Sequence, residues 1–283
     1  MCFTKKCCYN KYTRGEEMKL LYWNLHKKAI EENIKELIEE QNIDIAIFSE
    51  YNGITLDKLI NDKLNNEYKY YKDQTCDKII LIAKNNIEIQ MKRGQHRYVI
   101  YSVKCEQTSY LMVGIHLPAN PYSDENDRKI IIRDIVTDLK IEETNDKHTN
   151  SIIIGDFNCD PFANELVQKD SFNAVLFKKI LEKKEHVKHQ NHYYRLMYNP
   201  ALNFISEKNE QYGSYYYSSG INALYWHCYD QIIMSKSLTE SFKYMEYLHT
   251  IGNKSLLKEV KPNADISDHL PLIAEFERRN NNG

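Results

Sequence analysis

Glycine and proline are scarce in this chain, with nine and six among 283 residues. No stretch is rich in Pro, Gly or Ser, and no short period repeats, so the sequence offers no flexible linker and no solenoid. Long apolar runs are also missing. The longest span five or six residues, far short of the roughly 20 that a membrane helix needs. Cys-x-x-Cys spacing is absent from the seven cysteines, which removes the usual zinc signature. Cys2, Cys7 and Cys8 near the beginning, and Cys76, Cys105, Cys159 and Cys228 further on, read as reduced thiols. A strong net charge is lacking too: 38 basic against 40 acidic residues give −2. That excludes a protein coating nucleic acid by bulk charge and leaves room for a local basic groove. Residues 1–17 hold Lys5, Lys6, Lys11 and Arg14 but no apolar core, unlike a secretory signal. The expectation is a loose extension at 1–17, a single domain over 18–279, a cytoplasmic location, no membrane span and no obligate protein partner.

What is present is an ordinary globular balance, 42% hydrophobic and 28% charged. Residues 19–24 read as a strand, 27–41 as a helix with Ala29, Ile30, Ile34, Leu37 and Ile38 at helical spacing, and 45–48 as a strand. A strand follows at 78–84 and a hairpin at 98–103 and 110–115. The spacing of Ile130, Ile131, Ile135, Val136 and Leu139 predicts a second helix over 124–143. Strands are expected at 151–154, 231–234 and 272–276, a mostly helical stretch at 164–184, and an irregular aromatic segment at 191–229. Strands with helices between them point to two packed sheets flanked by helices.

The chemistry concentrates where apolar strands stop. Leu20-Leu21-Tyr22-Trp23 runs into Asn24, Ile45–Ser49 into Glu50, Leu111–Ile115 into His116, and Ile152-Ile153-Ile154-Gly155 into Asp156-Phe157-Asn158. Asp230 stands at the start of the 231–234 strand, and Ser267-Asp268-His269 precedes the last one. Any one of these has a bland explanation. An Asp or Asn after a strand is about as often a turn former, and a lone His such as His116 is more often a satisfied core or surface residue. Together they read differently, because gathering this many polar groups at strand ends costs free energy unless they serve each other or a metal. Metal-assisted hydrolysis of a phosphodiester needs oxygen ligands for Mg²⁺, a group that positions water, and donors for the phosphate charge. Glu50 and Asp268 supply carboxylates, Asn24 a neutral oxygen, Asp156 a site for water, and Asn158, His116 and His269 donors. Asp230 is placed to hold the tautomer of a histidine.

Six segments carry a resemblance: Tyr-Trp-Asn-Leu-His (22–26), Ile-Phe-Ser-Glu-Tyr (47–51), Gly-Ile-His-Leu-Pro (114–118), Gly-Asp-Phe-Asn (155–158), Tyr-Asp-Gln-Ile-Ile (229–233) and Ser-Asp-His-Leu-Pro (267–271). In this order the chain resembles the endonuclease/exonuclease/phosphatase superfamily over about residues 19–277, and its small bacterial members most. The resemblance implies an α+β, four-layer αββα sandwich of two mostly antiparallel sheets. It also implies Asn24, Glu50 and Asp268 at a Mg²⁺ that Mn²⁺ can replace, Asp156 and Asn158 at the scissile phosphate, His116 on that phosphate, and His269 paired with Asp230. Asp77 falls where deoxyribonuclease-like members keep an acid that pairs with the first histidine. His26 stands where abasic-site endonucleases have a metal-binding Asp, and His116 where they have a Tyr, which argues against abasic-site repair.

The expected activity is a Mg²⁺-dependent phosphodiester hydrolase, first a nuclease on DNA or RNA. The alternative is a phosphatase or phosphodiesterase on a small-molecule or lipid-headgroup phosphoester. A catalytically dead binding module is disfavoured, since no matched catalytic position is lost. Arg128, His26 and Asp77 are candidate substrate contacts, as are Arg93, Arg97 and Arg133. The aromatic run from Tyr193 to Trp226 reads mainly as packing, with one or two rim tyrosines left for substrate.

Overall fold

The computed structural model describes residues 17–119, 124–219 and 224–277. β1 (Glu17–Asn24), α1 (Glu31–Gln41) and β2 (Ile45–Ser49) make the predicted strand–helix–strand opening. The helix starts four residues later than its apolar spacing suggests, because His26 and Lys27 sit at φ 47° and 57°, outside any right-handed helix. It stops at Asn42, whose left-handed backbone returns its N–H to Glu39 and Ile38. β3 (Tyr68–Tyr71), β4 (Ile79–Lys84), β5 (Glu88–Gln95), β6 (Tyr98–Cys105) and β7 (Thr108–His116) follow. α2 (Glu125–Asp146) opens on a capping box: Asp124 takes the N–H groups of Asn126 and Asp127, and Asp127 takes that of Asp124. It leads into β8 (Ser151–Asp156).

The stretch expected to be mostly helical, 164–184, is broken instead. α3 (Asn164–Val167) and α4 (Lys178–Lys183) flank β9 (Ala174–Val175), which pairs with β12 (Met197–Tyr198). Asn173 at φ 49° turns the chain into that strand. The aromatic segment is also more ordered than its composition suggests. It holds the hairpin β10 (His186–His189) with β11 (His192–Arg195), then β12, α5 (Ala201–Phe204), and the pair β13 (Tyr215–Tyr217) and β14 (Tyr225–His227). β15 (Asp230–Met234) and β16 (Phe242–Tyr247) come next. Two small hairpins join β17 (Thr250–Ile251) to β18 (Lys254–Ser255) and β19 (Leu257–Lys258) to β20 (Lys261–Pro262). β21 (Leu272–Glu277) ends the described chain. Except for Glu17, which already belongs to β1, the expected 1–17 extension lies outside the described residues, as do Cys2, Cys7 and Cys8.

Two sheets organise these strands, in the orders β16-β21-β1-β2-β4-β3 and β5-β6-β7-β8-β15-β12-β9. Antiparallel pairs dominate, but β1–β2, β7–β8 and the short β9–β12 are parallel, the first two pairs each joined by a helix. Strand periodicity divides the apolar residues between two cores. On β8, Ile152 and Ile154 face the other sheet, whereas Ile153 joins Ile132, Ile135 and Leu139 of α2 on the outer face. Ile34, Leu37 and Ile38 of α1 pack into the larger core. The layers therefore run helix, sheet, sheet, helix, the αββα sandwich expected. Among the described residues Cys76, Cys105, Cys159 and Cys228 form no disulfide and are buried. Among the described residues no helix is long and apolar enough to cross a membrane.

This topology decides where chemistry can gather. The β1–β2 and β7–β8 pairs end at the same rim, so the residues at the ends of β1, β2, β7 and β8 converge there, and β15 begins there. Gly155 lets β8 lie tight on β7: a Cβ at that position would sit 2.1 Å from the carbonyl oxygen of Ile115.

Candidate active site

One row of backbone register sets the centre. His116 of β7 lies beside Asp156 of β8, and Asp156 beside Asp230 of β15. Asn24 reaches this row from the other sheet and donates its amide N–H to Asp156 Oδ2 at 3.1 Å. The same oxygen lies 3.8 Å from His116 Nε2 and 3.9 Å from His269 Nε2. The second oxygen of Asp156 accepts the Asn158 N–H at 2.8 Å, an Asx turn that holds Asn158 at φ 49°. The Asn158 side chain donates to Leu117 O at 2.8 Å, leaving its other amide hydrogen for a ligand.

His269 is fixed from several sides. Its Nδ1 is 2.7 Å from Asp230 Oδ2, its carbonyl accepts the Trp23 indole N–H at 2.9 Å, and its N–H goes to Ser267 Oγ at 3.1 Å. Ser267 Oγ donates in turn to Asn24 O at 2.6 Å, tying the last loop to the end of β1. The Tyr215 ring lies 4.8 Å from the imidazole. Of these supports, Trp23 and Ser267 lie inside the quoted motifs, though nothing in the motifs gives them this role, and Tyr215 carries no signal in the sequence at all.

The electrostatics follow from burial. Burial alone would strip His269 of its proton, but Asp230, through charge and hydrogen bond, with Asp156 and Asp268 behind it, pushes the group up to about 10. Burial pushes Asp156 up as well, and the Asp230 charge adds to it, against His269 and the N–H donors of Asn158 and Asn24. His116 goes the other way, down to about 3, through burial and the positive charges of Arg97 and His269. A neutral His116 has one bare nitrogen. Among the described residues its buried Nδ1 has no hydrogen-bond partner, while Glu50 and Asp156 face Nε2 at 3.7 and 3.8 Å. The tautomer with its proton on Nε2 fits that arrangement.

Asn24, Glu50 and Asp268, the expected metal ligands, offer oxygens beside this row. Glu50 follows β2 at φ 48°, a left-handed position that costs a non-glycine residue about 1–2 kcal/mol. Its side chain remains a quarter exposed, with 26% accessible. The Asn24 Oδ1 accepts only the His26 N–H, at 3.1 Å. Among the described residues Asp268 Oδ1 is buried without a hydrogen-bond partner, although His26 Nδ1 lies 3.1 Å away outside bonding geometry. An idle carboxylate oxygen in a set of oxygen donors suits a hard divalent cation. Asp156, Asp230 and His269 also bring ligand atoms within 4.8 Å of one another. Asp230 is fully buried there and already bonded to His269 Nδ1, so that group is better suited to proton chemistry than to ligation.

Four sequence expectations need correction. Asp77 does not reach His116; it is solvent-facing and ion-paired with Lys78 at 3.4 Å. Arg128 is not an exposed substrate contact. It is buried, and its Nε and a terminal nitrogen each lie 2.8 Å from Glu165 Oε1. Arg93 is spent on Asp138 and Glu142, and Arg133 on Asp170. Arg97 is the one of the four whose charge acts on His116. A second Asp–His pair went unnoticed in the sequence: His227 Nδ1 is 2.7 Å from Asp160 Oδ2.

No protein-family model and no curated protein sequence matches this chain. Solved structures do. A truncated TDP2 from Caenorhabditis elegans is similar with a TM-score of 0.60 at 13% identity, over 94% of this chain and 99% of that one. A D. rerio TDP2 complexed with a single strand DNA product gives 0.56 at 11% identity, over 93% and 99%. An endonuclease/exonuclease/phosphatase family protein from Bacteroides thetaiotaomicron gives 0.52 at 14%, over 92% and 97%. The chain has the fold of the endonuclease/exonuclease/phosphatase superfamily.

Proposed function

We propose that this protein is a divalent-metal-dependent phosphodiester hydrolase and that its substrate is nucleic acid. The observation that carries the reading is the crowding around Asp156 Oδ2, where an amide at 3.1 Å and two imidazoles at 3.8 and 3.9 Å converge on one buried carboxylate. Such a convergence has no use in a folding core and a clear one in moving a proton beside a phosphate. Asn24, Glu50 and Asp268 would hold Mg²⁺ or Mn²⁺, which polarises a phosphoryl oxygen and shields its charge when bound. Asp156, whose burial raises its proton affinity, orients the attacking water and accepts its proton. The Asp230–His269 pair holds a positive imidazole toward the charge that builds on the phosphoryl oxygens, and Asn158 and the Nε2–H of neutral His116 donate to the same oxygens. The D. rerio TDP2 that shares this fold holds a single strand DNA product, which supports nucleic acid over a small phosphoester.

A panel of plasmid DNA, single-stranded DNA, RNA, bis-p-nitrophenyl phosphate and inositol phosphates, assayed with Mg²⁺ and with excess EDTA, tests the reading. Cleavage of nucleic acid that stops in EDTA is expected. Full activity in EDTA would overturn the metal reading, and hydrolysis confined to inositol phosphates would move the substrate to the small-molecule class.

A further inference from the structure

Beside Asn158 a cavity of about 370 Å³ opens between the Gly-Asp-Phe-Asn loop and the first turns of α2 and α3. That volume falls within the roughly 300–1,000 Å³ of small-molecule sites. Its position ties it to the reaction. Asn158, expected at the scissile phosphate, forms one wall. Tyr229 forms another, stacked at 5.3 Å on Tyr215, whose ring is 4.8 Å from His269. A group in the cavity is therefore the immediate neighbour of the phosphate being cut.

Charge decides what kind of group that is. Glu125, Asp160 and Glu165 line the cavity against one guanidinium, Arg128, which is already bonded to Glu165. A second phosphate would meet a net negative wall. An uncharged group carrying hydrogen-bond donors would find carboxylate oxygens to receive them. Shape narrows the choice further. Phe162 stands at the lip with 60% of its surface exposed, although Pro161 before it is buried. A flat ring held out of the core beside a polar floor is a surface for stacking another flat ring.

We infer that this cavity receives a nucleobase next to the scissile phosphate, stacked on Phe162 with its polar edge toward the carboxylates. The inference rests on the nucleic-acid reading above and adds to it. A base can enter only when it is unpaired, so the substrate is a single strand, a strand end or an extruded nucleotide rather than intact duplex. Bases with exocyclic amino groups match the acidic wall better than thymine or uracil.

The test compares wild type and Phe162→Ala on single-stranded oligonucleotides with one cleavable linkage, bearing either a normal base or an abasic sugar on each side of it. On the normal oligonucleotide, Phe162→Ala should raise KM by about tenfold. Removing the base on one side of the linkage should cost the wild type a similar factor. On that abasic oligonucleotide the two enzymes should be equal, which a misfolded variant would not be. Cytosine at that position should beat thymine by about fivefold or more. If oligonucleotides are cut but base removal on neither side changes KM, the cavity inference falls while the nuclease reading stands. If bis-p-nitrophenyl phosphate is hydrolysed and no oligonucleotide is cut, the nuclease reading falls and takes the inference with it.

Discussion

Two Asp–His pairs in this molecule have the same bond and different surroundings. In both, an Nδ1 sits 2.7 Å from a carboxylate Oδ2. Asp160 is finished: its other oxygen accepts the Cys228 N–H at 2.8 Å, and its side chain is 29% exposed. The pair clasps the Gly-Asp-Phe-Asn loop to β14. Asp230 is fully buried, yet among the described residues its second oxygen has no hydrogen-bond partner. His269 in turn presents Nε2 to a third group, Asp156, at 3.9 Å. The difference teaches that an Asp–His bond is not itself a catalytic signature. Unused hydrogen-bonding capacity under burial, next to another acid, marks the pair proposed to act.

Breaking the comparison at its strong end should give the largest effect. His269→Ala and Asp156→Asn should each lower turnover by about a thousandfold or more, as the removal of preorganised charge does elsewhere. The double variant should lose far less than the product of the two, because both serve one step. Additive losses in single-turnover assays would separate their roles. Arg128→Glu comes next and acts on folding. Removing one partner of a buried ion pair costs about 3–5 kcal/mol, so urea denaturation should register the change before any substrate assay does. An unchanged urea midpoint would return Arg128 to the surface role that the sequence suggested.

Glu50→Gln should weaken apparent metal affinity by about 10–100-fold, a typical cost for disturbing a metal site. Raising Mg²⁺ should recover part of the rate, and a loss untouched by Mg²⁺ would take Glu50 out of the ligand set. Asp160→Ala tests the weak end of the comparison. It should cost stability of about 1–3 kcal/mol, the penalty for stranding buried donors, while bis-p-nitrophenyl phosphate turnover changes far less than for His269→Ala. Equal losses of turnover would erase the distinction drawn between the two pairs.

The rim residues were legible because parallel strands impose order on them. Asn24, Glu50, His116 and Asp156 each follow an apolar run, and runs that end together in a sheet bring their next residues together. Asp230 and His269 could be named because they lead into apolar strands that run antiparallel to these and so begin at the same rim. Partners set by packing were not legible. Asp77 precedes a strand and was open to pairing with His116, but the next residue, Lys78, takes its charge. Arg128 sits in a polar first turn of a helix, where local sequence gives no hint that Glu165, 37 residues on, will bury it. The 164–184 stretch has helical composition, yet edge pairing of β9 with β12 overrides it, as tertiary contacts override propensity. The edge strands β3, β5 and β16 escaped the strand reading because their exposed positions are filled with lysine, glutamine and glutamate.

The bond from Ser267 Oγ to Asn24 O spans 243 residues, and the one from Trp23 to the His269 carbonyl spans 246. β1 lies between β2 and β21, so the first of the described strands waits for the last before their sheet closes. A chain halted by a premature stop before Asp268 carries Glu50, His116 and Asp156 but lacks His269 and the loop that orients Asn24. No shorter nascent chain therefore holds the proposed site complete. Such long-range closure also slows folding, so the onset of hydrolysis should lag the appearance of helical signal in a refolding experiment and coincide with burial of Trp23.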